Sequence, residues 1–245
     1  MSGPEPSSQA LLHSYCCWGV AYFQQKQYDK AIACLSQAIQ LDPRCARGFR
    51  YRALAYFYKG DLECAIADFS RLIELRPNSS PTYFNRGCVF DELDEFERAI
   101  ADFTKVIQLK PNHAKAYVHR GLAKLGQGEN NLAIEDFSKA IQVDPHHGNA
   151  YIARGMAYSR LVEPDRAIAD YTMAINLNPK LFKRLKPVLK RADPPGSCLP
   201  NPEELTQLHL RSTLACQVQP KDPGSQGATV ERKLPTVPDC QLVQA

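Results

Sequence analysis

The chain has no CxxC pair, no export-type opening, no apolar run of membrane-spanning length and no excess of one charge across its main body. Nine cysteines are scattered, at Cys16, Cys17, Cys34, Cys45, Cys64, Cys88, Cys198, Cys216 and Cys240. An odd number without a signal peptide reads as reduced, intracellular thiols rather than a disulfide framework. The opening residues, MSGPEPSSQ, combine neither a basic start nor an apolar stretch, so no export is expected. The short apolar runs exclude a membrane-spanning helix. Up to Pro179, 20 Lys and Arg face 20 Asp and Glu; the whole net charge of +4 therefore sits in the last quarter. A balanced main body offers no overall field for nucleic acid.

Motifs of chemistry are missing as well. No phosphate-cradling glycine loop joins a strand to a helix. The histidines are His13, His113, His119, His146, His147 and His209. His146 and His147 follow a turn and have no third ligand nearby in sequence, so a metal site is not expected. Cys16 and Cys17 lack an evident activating base and read as packing residues. The expectation is no catalytic, metal or cofactor residue, hence no enzyme.

What the chain does have is a period. Proline recurs at Pro43, Pro77, Pro111, Pro145 and Pro179, a constant step of 34. Alanine keeps the same step at Ala31, Ala65, Ala99, Ala133 and Ala167, and isoleucine at Ile39, Ile73, Ile107, Ile141 and Ile175. An aromatic returns at Tyr15, Phe49, Tyr83, Tyr117 and Tyr151, and a small residue at Gly19, Ala53, Gly87, Gly121 and Gly155. Registers that agree over five copies mark a repeat array.

Each unit splits into two helices. In the third, the apolar spacing predicts one over 80–92 and another over 96–109, because Tyr83, Gly87 and Phe90, then Phe96, Ala99, Ile100, Phe103 and Ile107, fall at steps of three or four. Both stripes are apolar, so each pair needs neighbours to cover it. The recurring proline ends the second helix, whereas Pro81 and Pro164 fall in first turns, where a missing N–H costs nothing. A glycine in a helix costs roughly 1 kcal/mol against alanine. Its return predicts a close backbone approach, with the second-helix alanine on the facing surface.

In these positions the sequence resembles the tetratricopeptide repeat family, over Leu12 to Pro179. The family pattern of aromatic, small residue, aromatic, alanine, aromatic, small residue and proline reads here as Tyr117, Gly121, Lys124, Ala133, Phe137, Ala140 and Pro145. Lys124 departs from the aromatic place, and Leu72 and Val106 from the small one. The resemblance implies an all-α fold, a right-handed α-solenoid of helical hairpins with no chemistry of its own. Its first helices would line a concave groove that binds a partner peptide or helix. The expected layout is a flexible 1–11, repeats over 12–45, 46–79, 80–113, 114–147 and 148–181, a capping helix over 180–191 and a mostly disordered 192–245.

Carried over place by place, the groove would be lined by Arg47, Arg50, Leu54, Phe57, Tyr58, Phe84, Asn85, Cys88, Lys115, His119, Leu122 and Ile152. Some family members clamp the terminal carboxylates of chaperone tails. The corresponding places here are Arg50, Leu54, Asn85, Lys115 and His119, a degenerate set in which Leu54 is apolar and a neutral His119 would lack charge. A second ladder places Arg52, Arg86, Arg120 and Arg154 beside Asp68, Asp102, Asp136 and Asp170. It reads as pairs that fix stacking geometry, with Trp18 and Cys34 in their place in the first unit.

Lys180, Lys183, Arg184, Lys186, Lys190 and Arg191 give the segment after the repeats a basic face. A solvated cap is the expected role, and an anionic-surface or nuclear-import patch the alternative. From Ala192 the proline-rich, aperiodic sequence suggests disorder. The expectation is thus an intracellular, cytoplasmic or nuclear monomer with a protein or peptide partner, with no cofactor, and with neither membrane nor nucleic acid as its target.

Overall fold

The computed structural model describes residues 7–181. In them the chain forms ten α-helices, α1 (Ser8–Gln24), α2 (Tyr28–Leu41), α3 (Ala46–Lys59), α4 (Leu62–Leu75), α5 (Ser80–Glu92), α6 (Phe96–Leu109), α7 (Ala114–Gly126), α8 (Asn130–Val143), α9 (Gly148–Arg160) and α10 (Pro164–Leu177), followed by a 3₁₀ turn, Pro179–Leu181. Among the described residues there is no strand. Each helix packs on its successor in sequence, giving an all-α solenoid of five helical hairpins.

The repeated punctuation explains the repeated shape. Within each hairpin the turn passes through a left-handed residue, at Lys26, Gly60, Asp94, Gly128 and Val162, again 34 apart. Two glycines meet that demand freely; Val162, β-branched and with φ of 60°, does not. Second helices stop two residues before the recurring proline, because the proline ring drives the preceding residue out of helical conformation. Accordingly Asp42, Asp144 and Asn178 are extended, with φ near −140°.

Ala31, Ala65, Ala99, Ala133 and Ala167 are all fully buried, as are Phe69, Phe103, Phe137 and Tyr171 to within 1%. The recurring glycines are a point of difference. What approaches them is a side chain from the second helix of the same unit rather than a backbone: a Cβ on Gly121 would lie 2.6 Å from Phe137 Cε1, and one on Gly155 2.7 Å from Tyr171 Cε1. The ring sixteen residues on occupies the space a side chain would need.

Curvature follows from which helices meet across units. α1 touches α3, α5 touches α7 and α7 touches α9, whereas no two second helices make comparable contact among the described residues. First helices therefore lie on the shorter, inner arc. The first of them begins at Ser8, so the flexible segment expected over 1–11 is too long: Ser7 Oγ accepts from the Ala10 N–H at 3.3 Å and caps the helix. Of the cap expected over 180–191 only residues 180 and 181 are described, in the turn Pro179–Leu181; the rest and the tail over 192–245 lie outside the described residues.

Candidate partner-binding groove

The inner face holds an open cavity of about 490 Å³, lined by Arg50, Ser80, Pro81, Phe84, Asn85, Lys110, Asn112, His113, Ala114, Lys115, Asp144 and His147. Three successive first helices supply Arg50 (α3), Ser80, Pro81, Phe84 and Asn85 (α5) and Ala114 and Lys115 (α7); the turns leading into α7 and α9 supply Lys110, Asn112, His113, Asp144 and His147. Arg50, Lys110 and Lys115 face a single carboxylate, Asp144, so the walls favour a negatively charged or strongly polar guest. Phe84, 8% exposed, gives an apolar floor.

Two histidines sit at equivalent first-helix N-caps, 34 residues apart, and behave differently. His113 Nδ1 accepts from the Ala116 N–H at 3.1 Å, which leaves the proton of the neutral ring on Nε2. His147 makes no such cap, and its buried Nδ1 has no hydrogen-bond partner among the described residues. Burial lowers the pKa of both, helped at His113 by Lys110 and Lys115 and opposed at His147 by Asp144.

The sequence-predicted groove residues divide accordingly. Arg50, Phe84, Asn85 and Lys115 come together at the cavity, and Arg47 is exposed on the first turn of α3. Leu54 and Ile152, at 0% and 1% exposure, are sealed in the core and face no groove. Their side of the helix meets a neighbouring hairpin: Leu54 joins a buried cluster with Val89 of the following unit, and Ile152 one with Val118 of the preceding unit. Leu122 packs half-buried against that second cluster.

Phe57 and Tyr58 lie away from the cavity in an aromatic group with Phe23, Tyr28 and Tyr51; Tyr58 stacks on Tyr28 at 5.8 Å. Cys88, 7% exposed, is buried against Phe84 and Phe103 in the core cluster of the third unit rather than open to the groove. Cys16, Cys17, Cys45 and Cys64 carry free thiols.

His119 is the largest correction. Expected in a cationic place, it is 7% exposed, edge-on to Phe84 at 5.2 Å and beside Phe103 at 5.5 Å. Its Nδ1 has no hydrogen-bond partner among the described residues. Burial, with the charge of Lys115 and the rings of His147 and His113, pushes its pKa down to about 4, so it is a neutral core ring at pH 7.

The arginine ladder forms one motif repeated four times. Arg52, Arg86 and Arg154 each donate through Nε and Nη2 to both carboxylate oxygens of Asp68, Asp102 and Asp170 at 2.7–2.8 Å. Arg120 does the same to Asp136, at 2.9 and 2.6 Å. The remaining Nη1 reaches back to a hydroxyl on the preceding hairpin, Ser36, Ser70, Thr104 or Ser138, at 2.9–3.1 Å. Each arginine thereby ties three consecutive helices. The hydroxyls were legible as a ladder with the same step of 34, but sequence reasoning passed over them. Lys124, in the family's aromatic place, adds a second cation to Asp136 at 2.9 Å.

Among the described residues no three His, Cys, Asp or Glu side chains converge as a metal site, and no helix is long and apolar enough to cross a membrane. Sequence models of the tetratricopeptide repeat match residues 14–45, 80–113 and 114–147, and, in a second version, 52–79 and 148–181. No match to a curated protein sequence is found. Solved structures similar to the chain include a MamA protein, 25% identical with a TM-score of 0.64, where the match covers 71% of this chain and 94% of that one. MamA from Desulfovibrio magneticus RS-1 shares the fold at 20% identity and a TM-score of 0.66, over 69% of this chain and 96% of that one. YrrB, described as a TPR protein with an unusual peptide-binding site, does so at 19% and 0.61, over 71% and 89%.

Proposed function

The chain belongs to the tetratricopeptide repeat family, and from that premise we propose that it is a non-catalytic interaction scaffold whose concave groove binds a peptide or helix of a partner protein. One observation carries the reading. Arg50, Asn85 and Lys115, from three successive first helices, line one open cavity on the inner face. A single side chain or chain end entering it would be held by three repeats at once, a geometry that rewards a protein ligand over a small metabolite. Another protein of the same fold, YrrB, carries a peptide-binding site.

The test is partner capture with the intact chain and with Arg50→Ala, Asn85→Ala and Lys115→Ala combined, the helical circular-dichroism signal being checked first. Losing one partner of a desolvated charged contact costs about 2–5 kcal/mol, so capture through the cavity falls at least about tenfold. Partners held equally well by both forms would move the binding face elsewhere.

A second reading is an adaptor for the acidic carboxyl-terminal tail of a chaperone, favoured by the cationic walls. Only three of the five clamp places support it, since Leu54 is core and His119 is neutral and buried. Calorimetric titration with an acidic peptide, with and without its free terminal carboxylate, separates the two. Binding that ignores the terminal carboxylate removes the adaptor reading and leaves the scaffold reading standing.

A further inference from the structure

At the first inter-repeat junction, away from the cavity, two thiols face each other. Cys16 on α1 and Cys45 at the N-cap of α3 place their sulfurs 3.4 Å apart. Cys16 is 5% exposed, while Cys45 is half-buried and so open to a small reagent. Cys45 Sγ also accepts from the Gly48 N–H at 3.3 Å, directing its sulfur at the positive end of the α3 dipole.

We propose that Cys16 and Cys45 form a peroxide-reactive dithiol in which Cys45 is the attacking thiol and Cys16 the resolving one. The hydrogen bond from Cys16, with those from the Gly48 and Arg47 backbone, lowers the Cys45 pKa, and the same pairing raises that of Cys16. The division of roles matches the exposure: the thiolate forms on the reachable sulfur, and the sealed one stays protonated until needed.

In the first step the Cys45 thiolate attacks one oxygen of hydrogen peroxide. The O–O bond breaks, Cys45 becomes a sulfenic acid, and the departing hydroxide takes a proton to leave as water. In the second, Cys16 sulfur attacks Cys45 sulfur; its proton leaves with the displaced hydroxide as a second water, and a disulfide remains. Two thiols are oxidised and one peroxide is reduced. Closing from 3.4 Å to the roughly 2.05 Å of a disulfide asks for a shift of about 1.4 Å, which one rotamer change at an N-cap can supply. The bond joins α1 to the start of α3, the helix that carries Arg47 and Arg50.

The test exposes the reduced full chain to limiting hydrogen peroxide and maps the products by alkylation and peptide mass spectrometry. The expected first product is a peptide pair joined between Cys16 and Cys45, formed ahead of any loss of the exposed Cys64 thiol. Cys17→Ala leaves it in place, and Cys16→Ala removes it. Cys45→Ser also removes it while keeping a side chain of a type well suited to a helix N-cap.

The rate between pH 7 and 8.5 is expected to change by less than about twofold, against about fifteen-fold for an ordinary thiol. Cys64 or Cys17 oxidising first, a rate that climbs as for an ordinary thiol, or Cys45 oxidised without its link to Cys16 would each overturn the assignment.

Discussion

Replacing Arg86 by alanine removes the tie between three helices at the middle of the array. Its Nε and Nη2 donate to Asp102 at 2.8 Å each and its Nη1 to Ser70 at 3.0 Å, with side-chain exposures of 20% for Arg86 and 7% for Asp102. The loss strands a nearly sealed carboxylate. A fully buried pair broken on one side costs about 3–5 kcal/mol, and the fifth of Arg86 that meets water places this one near the lower end, at about 3 kcal/mol. Asp102→Ala leaves a guanidinium that water can still reach and should cost about 2 kcal/mol. If the two residues act as one unit, the double variant costs about 3 kcal/mol rather than their sum, a coupling of about 2 kcal/mol. Urea unfolding followed by circular dichroism reads this directly, since with a slope of about 2 kcal/mol/M the Arg86→Ala midpoint falls by about 1.5 M. Arg120→Ala is the internal comparison: Lys124 still neutralises Asp136, so its midpoint falls less. Costs that add within about 0.5 kcal/mol in the Arg86 cycle would refute the reasoning.

Gly121→Leu drives a side chain into the Phe137 ring and should destabilise by about 1–3 kcal/mol in the same assay; an unchanged midpoint would show that the ring moves aside freely. For His119 the folded pKa, about 4, lies below the ordinary 6.5, so its contribution to stability is complete above pH 6.5 and is lost as pH falls towards 4. The full loss is about 3 kcal/mol, and His119→Leu should flatten that part of the stability profile by comparison with the parent. Val162→Gly relieves a left-handed strain of about 1–2 kcal/mol at an entropic cost of about 0.4–1 kcal/mol, for a net gain of about 0.5–1 kcal/mol in thermal unfolding.

Much of the fold could be read from the chain because it is written five times. The helices expected over 80–92 and 96–109 are α5 and α6, since apolar spacing and proline punctuation act locally. The site was less legible. Leu54 shares a helix with Arg50 four residues away, yet whether each faces the groove or the next hairpin depends on the angle between hairpins, which no local pattern encodes. His119 reads as a groove-lining residue until Phe84 and Phe103 close around it. Lys110, His113 and His147 enter the cavity from turns rather than from the groove-lining helices, so places carried over along the first helices could not find them. The glycines were recognised as packing points, but the chain offered no sign that a ring sixteen residues later, rather than a backbone, sets the limit.

The most direct measurement is hydrogen–deuterium exchange of the chain with and without a captured partner. Binding in the concave groove predicts added protection in α5, α7 and the turn at His113, with α4, α6 and α8 unchanged. Protection confined to the second helices, with the cavity residues exchanging as before, would contradict it.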